Sequence, residues 1–288
     1  MNVLLLINPT SRGGRGVRLL GRIQAALDKH GIAYTTHILS HIQEAFDMAA
    51  KAVGFDVIAA VGGDGTVNAV GGGVLANPDK KLKFAVLYTG TSPDFCTCHN
   101  IPTEPEKAVA LLAAGHTSPI PVLLANGKPF FCSCNPGMGA EVASGANRLR
   151  PYFGDKAGTF LALIFALLRN RRWAYRINGR ELPQCNHLLI TRMPCIASGL
   201  KLAVPELKED QYLLWYLQKV TRWGWLKLLK KLYRGENCGT FEIVNGTLRI
   251  EGDAPFEFDG DPQGELPLEI SLSARKLDLI CGKGAKHE

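Results

Sequence analysis

The chain has 288 residues, with 33 Lys and Arg against 26 Asp and Glu and a net charge of +7. Hydrophobic residues make up 46% and charged residues 20%, which excludes a disordered or fibrous chain and allows one large domain or two ordinary ones. Residues 1–144 carry 11 basic and 10 acidic side chains and the rest carry 22 and 16, so a negatively charged surface partner is expected for the second half.

In chain order, Val3–Ile7 reads as a short buried strand and residues 8–16 as a polar, glycine-rich turn. A helix follows from about Val17 to Lys29, with Leu19, Leu20, Ile23 and Leu27 on one face and Gly31 at its end. Ala33–Leu39 is a second strand. Ser40 is the expected cap of a helix from Ile42 to Val53, closed by Gly54. Asp56–Val61 is a third strand, followed at once by Gly62-Gly63-Asp64-Gly65-Thr66. A helix starts near Val67, weakened by Gly71-Gly72-Gly73. Leu82–Leu87 is a fourth strand. Alternating strands and helices predict a parallel α/β domain over residues 1–122, with ligand loops at the carboxyl ends of its strands. The turns starting at Asn8, Gly62 and Gly90 all fall there.

Beyond about residue 120 the segments read as strands separated by turns, as in the alternating Leu266, Leu268, Ile270 and Leu272. The expectation is a β-rich, antiparallel, sandwich-like domain over 123–275, with a tail from 276 to 288 that returns to the first domain. Two segments break the pattern: Ala157–Leu168 as a buried helix and Thr221–Arg234 as a basic one. The apolar run Phe160–Leu168 is nine residues, short of the ~20 that span a bilayer. Val3–Ile7 is too short for a signal peptide core. Eight cysteines in a chain of this length do not make a small secreted scaffold. The chain is therefore read as cytoplasmic.

Gly62-Gly63-Asp64-Gly65-Thr66 is the sharpest local signal. Glycines let the backbone turn tightly, and amides at a helix start accept a phosphate. Thr66 adds a hydroxyl, and Asp64 faces a Mg2+ ion or a substrate hydroxyl. A plain strand-to-helix turn has the same composition. The loop is neither a Walker A loop nor a Gly-x-Gly-x-x-Gly loop. Arg12 and Arg15 in the first turn are phosphate partners or solvated arginines.

Asn8-Pro9, Gly62 to Asn68, Gly90-Thr91 through Asp94-Phe95, Ile101-Pro102 and Asp259-Gly260 occur in one order. This resembles the bacterial diacylglycerol kinase and sphingosine kinase superfamily of lipid kinases, over roughly the whole chain. The resemblance implies an N-terminal nucleotide-binding domain, a β-rich substrate domain and an active site in the cleft between them. It also implies ATP with Mg2+ and phosphoryl transfer to a lipid hydroxyl. It places Asn8, Thr10, Ser11 and Thr36 near the nucleotide. Gly62, Gly63, Asp64, Gly65, Thr66 and Asn68 surround its phosphates, with Thr91 contacting them from the second loop. Asp94 falls near substrate or metal, and Gly137, Gly139 and Glu141 match the start of the lipid-binding domain. Asp259-Gly260-Asp261 matches the late acidic element that carries the general base, so Asp259 or Asp261 is expected to orient the acceptor hydroxyl and take its proton.

The chain departs from the family pattern at several points. The second loop reads Gly90-Thr91-Ser92-Pro93-Asp94-Phe95-Cys96-Thr97, where Pro93 removes an amide side chain and a backbone donor. Ala69 follows Asn68 where the family has Glu, and the late Glu is Asp261. The family's structural metal loop is Glu209-Asp210-Gln211-Tyr212, which leaves Asp210 as a candidate metal ligand. These departures leave two other readings open: a catalytically weakened nucleotide- or lipid-binding protein, and a kinase for a soluble hydroxylated acceptor.

Lys219–Arg234 carries six basic residues and no acidic one. With Trp225, Leu226, Leu228 and Leu229 it suits an anionic membrane interface, and a domain helix with its leucines turned inward has the same pattern. Cys96-x-Cys98 and Cys132-x-Cys134 are read as buried thiols on strands, with a shared metal as the alternative. No nucleic-acid signature is present. The oligomeric state is open between monomer and homodimer.

Overall fold

The computed structural model describes residues 1–196 and 200–282. The chain forms two compact units. The first comprises residues 1–122 together with the segment from Ala274, and the second runs from Leu123 to Ser273. The last six residues of the expected tail, 283–288, lie outside the described residues.

The first unit holds β1 (Asn2–Ile7), α1 (Arg15–Lys29), β2 (Ala33–Ile38), α2 (Ile42–Lys51), β3 (Val57–Gly62), α3 (Asp64–Ala76), β4 (Lys83–Tyr88), α4 (Asp94–Cys98), α5 (Pro105–Ala114) and β5 (Thr117–Ile120). A final strand, Leu277–Ile280, lies between β4 and β5, parallel to the former and antiparallel to the latter. The sheet order is β2, β1, β3, β4, final strand, β5. Val3 to Ile7 and Val57 to Val61 are buried throughout, as two-sided burial in a parallel sheet requires. Val3, Leu5 and Ile7 pack with Ile23 and Leu27 of α1 and with Val109 and Leu112 of α5.

Two local features depart from the sequence reading. The cap of α2 is His41 rather than Ser40: its Nδ1 accepts from the Glu44 amide at 3.2 Å, and Glu44 Oε2 accepts from the Ser40 amide at 2.6 Å. The glycine triplet does not break α3. A Cβ on Gly73 would lie 2.5 Å from the Phe46 carbonyl and 2.6 Å from Ala49 Cβ, so the missing side chain lets α2 and α3 touch. That contact outweighs the ~1 kcal/mol helix penalty of a glycine.

The second unit holds β6 (Leu123–Ala125), β7 (Lys128–Phe130), β8 (Ser133–Pro136), α6 (Met138–Arg169), β9 (Trp173–Ile177), β10 (Arg180–Thr191), β11 (Cys195–Ile196), β12 (Leu200–Lys201), β13 (Gln211–Gln218), α7 (Gly224–Tyr233), β14 (Thr240–Asn245), β15 (Leu248–Gly252), β16 (Pro255–Phe258), β17 (Asp261–Glu265) and β18 (Leu268–Leu272), and the final strand of the first unit is β19. Among the described residues eleven strands join in one sheet with antiparallel pairings. Its main core gathers Trp173, Tyr212, Leu214, Ile250, Phe256 and Ile270.

The segment 157–168 is helical but not buried as expected. It is the second half of α6, and Phe160, Phe165 and Leu168 are exposed. The helix breaks at Gly154, whose φ and ψ are 73° and 173°, leaving two halves of about 15 residues, or about 22 Å each. By length and composition α6 as a whole would reach across a membrane, but neither half does. In α7, Trp225 and Leu232 are buried while Trp223, Leu226 and Tyr233 are exposed. The helix packs one face, with Trp225 and Leu232 in a core cluster with Leu213 and Trp215, and shows another.

Candidate nucleotide and acceptor site

The turns after β1, β3 and β4 meet at the carboxyl edge of the first sheet. Asn8 Nδ2 donates to Thr66 Oγ1 at 2.9 Å, linking the first turn to the start of α3. Asn8 Oδ1 accepts from the Thr10 amide at 3.0 Å and from its hydroxyl at 2.9 Å. Thr89 Oγ1 donates to Ser11 Oγ at 3.2 Å. A Cβ on Gly90 would lie 2.6 Å from Gly63 Cα, so the second and third turns are in backbone contact. Only glycine permits that approach.

Tyr88 fastens the same two turns from below. Its hydroxyl lies 3.1 Å from the Asp64 carboxylate and 2.6 Å from the Ser92 carbonyl, sharing its one proton between them, and accepts from the Ser92 amide at 3.1 Å. Burial, then the Asp64 charge, raises the Tyr88 hydroxyl well above its usual range, so it stays protonated as a donor. The same two causes raise the thiol of buried Cys96. Cys96 and Cys98 lie on the helical turn α4, not on a strand as expected. Among the described residues no trio of His, Cys, Asp or Glu is grouped to hold a metal ion.

Thr66 is buried. Its amide donates to the Gly63 carbonyl at 2.9 Å and its hydroxyl receives Asn8, so Thr66 holds the site's frame. Gly62 to Gly65 line the exit from β3 into α3, with Gly63 as the cap, and a helix start is a natural seat for an anion. Asn68 is half-buried on α3, Thr91 half-buried beyond Gly90, and Asp94 opens α4 behind Pro93. Thr36 is exposed on edge strand β2. It lines an open groove of about 550 Å3 with His37, Asp47, Met48 and Lys51, and that groove draws no lining from the glycine turns.

In the second unit the acidic hairpin between β16 and β17 has a division of labour that the sequence does not reveal. Asp259 sits at φ 51°. Its carboxylate accepts three backbone amides: Phe131 at 2.7 Å, Cys132 at 2.7 Å and Ser133 at 3.1 Å. It therefore fixes the β7–β8 connection. Asp261 is exposed and accepts from Gln263 Nε2 at 3.0 Å. The third acid, Glu257, escaped sequence reasoning; its only signal is a charged residue inside the apolar strand β16. It is buried, accepts from the Gly260 amide at 2.7 Å and also hydrogen-bonds Asn135 Nδ2. Burial, reinforced by Asp259 and Asp261, pushes its carboxyl up to about 8.

Asp210 lies at the turn into β13. Arg192 Nη1 donates to the neighbouring Lys208 and Glu209 carbonyls at 3.1 and 3.4 Å, so a guanidinium supplies positive charge to this loop. Gly137 caps α6, Gly139 packs against Asn135, and Glu141 faces Arg171 at 3.7 Å.

Comparison with known proteins follows the same outline. Residues 2–125 match the diacylglycerol kinase catalytic domain. A diacylglycerol kinase from Staphylococcus aureus (strain bovine RF122 / ET3-1) is 30% identical over 298 residues, covering 99% of this chain and 93% of that protein. The chain belongs to the diacylglycerol kinase family. It is a divergent member: a diacylglycerol kinase from Bacillus subtilis (strain 168) is 24% identical over 97% of this chain and 96% of its own length. The fold agrees with a crystal structure of a diacylglycerol kinase from Bacillus anthracis str. Sterne, with a TM-score of 0.77 at 20% identity over 98% of this chain and 97% of the other. Membership in this lipid kinase family supports a kinase-like enzyme.

Proposed function

We propose that this chain transfers the γ-phosphoryl group of ATP to the hydroxyl of a diacylglycerol-like lipid at a membrane surface. The observation that carries the reading is the three-turn cluster in the first unit, where Asn8 binds Thr66 and Gly90 closes on Gly63. The relatives named diacylglycerol kinase supply the acceptor class.

The chain's residues fit an ATP phosphate tail: with no side chains, half-buried Gly63 and exposed Gly65 leave the start of α3 open to an anion. Mg2+ neutralises phosphate charge during such a transfer. It is commonly held by one or two carboxylates and the phosphates themselves, a role assigned to Asp64 and Asp94. Asn8, Thr10 and Ser11 keep the first turn in register with α3. Tyr88 holds Asp64 and the Gly90 turn together. Asp261, exposed and not tied to backbone amides, is assigned to take the proton of the acceptor hydroxyl. Asp259 is assigned to hold the hairpin that presents it.

The test is incubation with γ-labelled ATP, Mg2+ and dispersed diacylglycerol, counting label in the organic phase. Gly90→Ala is expected to abolish transfer and weaken ATP binding, because its Cβ would meet both Gly63 and the Tyr88 hydroxyl at 2.6 Å. Wild-type binding of ATP without transfer to any lipid would favour the catalytically weakened reading, to which Pro93 and the three-amide capture of Asp259 lend physical support.

A further inference from the structure

β10 and β13 run antiparallel with Thr191 opposite Leu213, so the next residue, Arg192, falls beside the loop that feeds β13. The resemblance to lipid kinases implies a structural metal ion in that loop, at residues 209–212 with Asp210 as a ligand. An ion of that kind is held by oxygen: Ca2+ takes about six to eight carboxylate, carbonyl or water ligands and Mg2+ about six. The loop's oxygens have other partners here. Arg192 Nη1 donates to the Lys208 carbonyl at 3.1 Å and to the Glu209 carbonyl at 3.4 Å. The Lys208 carbonyl also accepts from the Gln211 amide at 3.1 Å, so protein donors fill both its lone pairs. Gln211 Oε1 accepts from the Lys208 amide at 2.9 Å, which closes the turn on its other side.

Charge agrees with this geometry. Arg192 is half-buried and Asp210 is exposed. Burial lowers the Arg192 guanidinium from its ordinary value, and the Glu209 and Asp210 carboxylates oppose that, so the side chain keeps its charge where these acids gather. A divalent ion would have to displace Arg192 from both carbonyls and then sit beside it, cation against cation. The residues present do not fit such an ion. They fit a guanidinium, whose several N–H donors let one tethered group satisfy adjacent carbonyls.

We propose that Arg192 stands in for the structural cation: its guanidinium, rather than a divalent metal, holds the 208–211 turn at the entrance to β13, and the second unit folds without metal. What is held matters to that unit, because β13 pairs with both β10 and β14 and its residues Tyr212 to Leu217 are buried. A metal-held loop gains stability with the free ion concentration. A loop tied by a cation on its own chain does not. The proposal is independent of the lipid-kinase reading and of any Mg2+ that accompanies ATP.

The experiment is urea unfolding of the full chain without nucleotide, followed by the fluorescence of its tryptophans, which all lie in the second unit. Wild type dialysed against EDTA is compared in EDTA, in millimolar MgCl2 and in millimolar CaCl2 at equal ionic strength. Its midpoint is expected to be the same in all three, within about 0.2 M. Arg192→Met keeps the apolar stem and removes the donors and the charge. In EDTA it is expected to lower the midpoint by about 0.5 M or more. Arg192→Lys keeps the charge with fewer donors and is expected to fall between the two. A wild-type midpoint that rises in MgCl2 or CaCl2 would overturn the proposal, and that comparison needs no variant. So would an Arg192→Met chain as stable as the wild type in EDTA. Neither result depends on whether the chain phosphorylates a lipid.

Discussion

Asp259→Asn separates a scaffold carboxylate from a catalytic one. Oδ1 accepts from Cys132 and Ser133, and Oδ2 accepts from Phe131 at 2.7 Å. An asparagine keeps the first oxygen but places an NH2 group against the Phe131 amide, donor to donor. The charge-assisted bond is worth about 1.5–3 kcal/mol, and the stranded donor costs about 1–3 kcal/mol. Because the residue is half-buried and asparagine tolerates its positive φ, the net loss comes to about 2–4 kcal/mol. All four tryptophans, at 173, 215, 223 and 225, lie in the second unit, so their fluorescence during urea unfolding reports on that unit. With a slope of about 2 kcal/mol/M the midpoint is expected to fall by about 1–2 M. Asp261→Asn, on an exposed side chain, is expected to move the midpoint by less than about 0.3 M and to cut transfer by about 10²-fold or more. An Asp259→Asn variant with wild-type stability and a selective loss of turnover would refute this division of roles.

Glu257→Gln is expected to change the pH dependence of stability. The folded carboxyl titrates near 8, above its unfolded value near 4.5, so the folded state holds the extra proton between these limits. Its stabilising contribution is full below about 4.5 and is lost as pH rises through about 8. The urea midpoint of the wild type minus that of the variant is expected to fall across this window; a constant difference counts against a protonated Glu257. Buried His187 behaves oppositely: burial lowers it to about 4, so stability is lost as pH falls from about 6.5 toward 4. A His187→Gln variant should lack that acid-side loss in the same titration. Gly73→Ala is expected to destabilise the first unit by about 2–3 kcal/mol through overlap with α2, which hydrogen exchange of α2 and α3 amides would report; unchanged protection would mean that the helices can separate without cost.

The first sheet was legible because its signals are local. Val3–Ile7 and Val57–Val61 are apolar runs closed by glycine turns, and a parallel α/β pattern leaves few other arrangements. The helix over residues 67–75 was legible despite its glycine triplet, but the role of Gly73, a contact with Phe46 and Ala49, was not, since no window around residues 71–73 contains them. The first half of α6 was missed for a related reason. Residues 138–156 include three glycines and Pro151 and were assigned no element, and the packing of Gly145 on Ala162 that accompanies their helix is a contact 17 residues away. The same packing explains why 157–168 was expected to be buried: an apolar helix normally finds a cover, and here one face meets small residues while the other stays open. At the site, the placement of the glycine turns at the carboxyl ends of β1, β3 and β4 was readable from the strand pattern. The Asp259 amide contacts were not, since a carboxylate's partners 126 to 128 residues away leave no trace in spacing.

The placement of β19 has a consequence for biosynthesis. The first unit is interrupted, and the strand between β4 and β5 is supplied only after the second unit has been translated. Until then a nascent chain ending near residue 122 carries an unfilled gap at the edge of β4, where Phe84 awaits Leu279. An excised fragment 1–122 should therefore aggregate through that open edge, whereas an excised 123–273 keeps its strand pairings and is the piece to express alone.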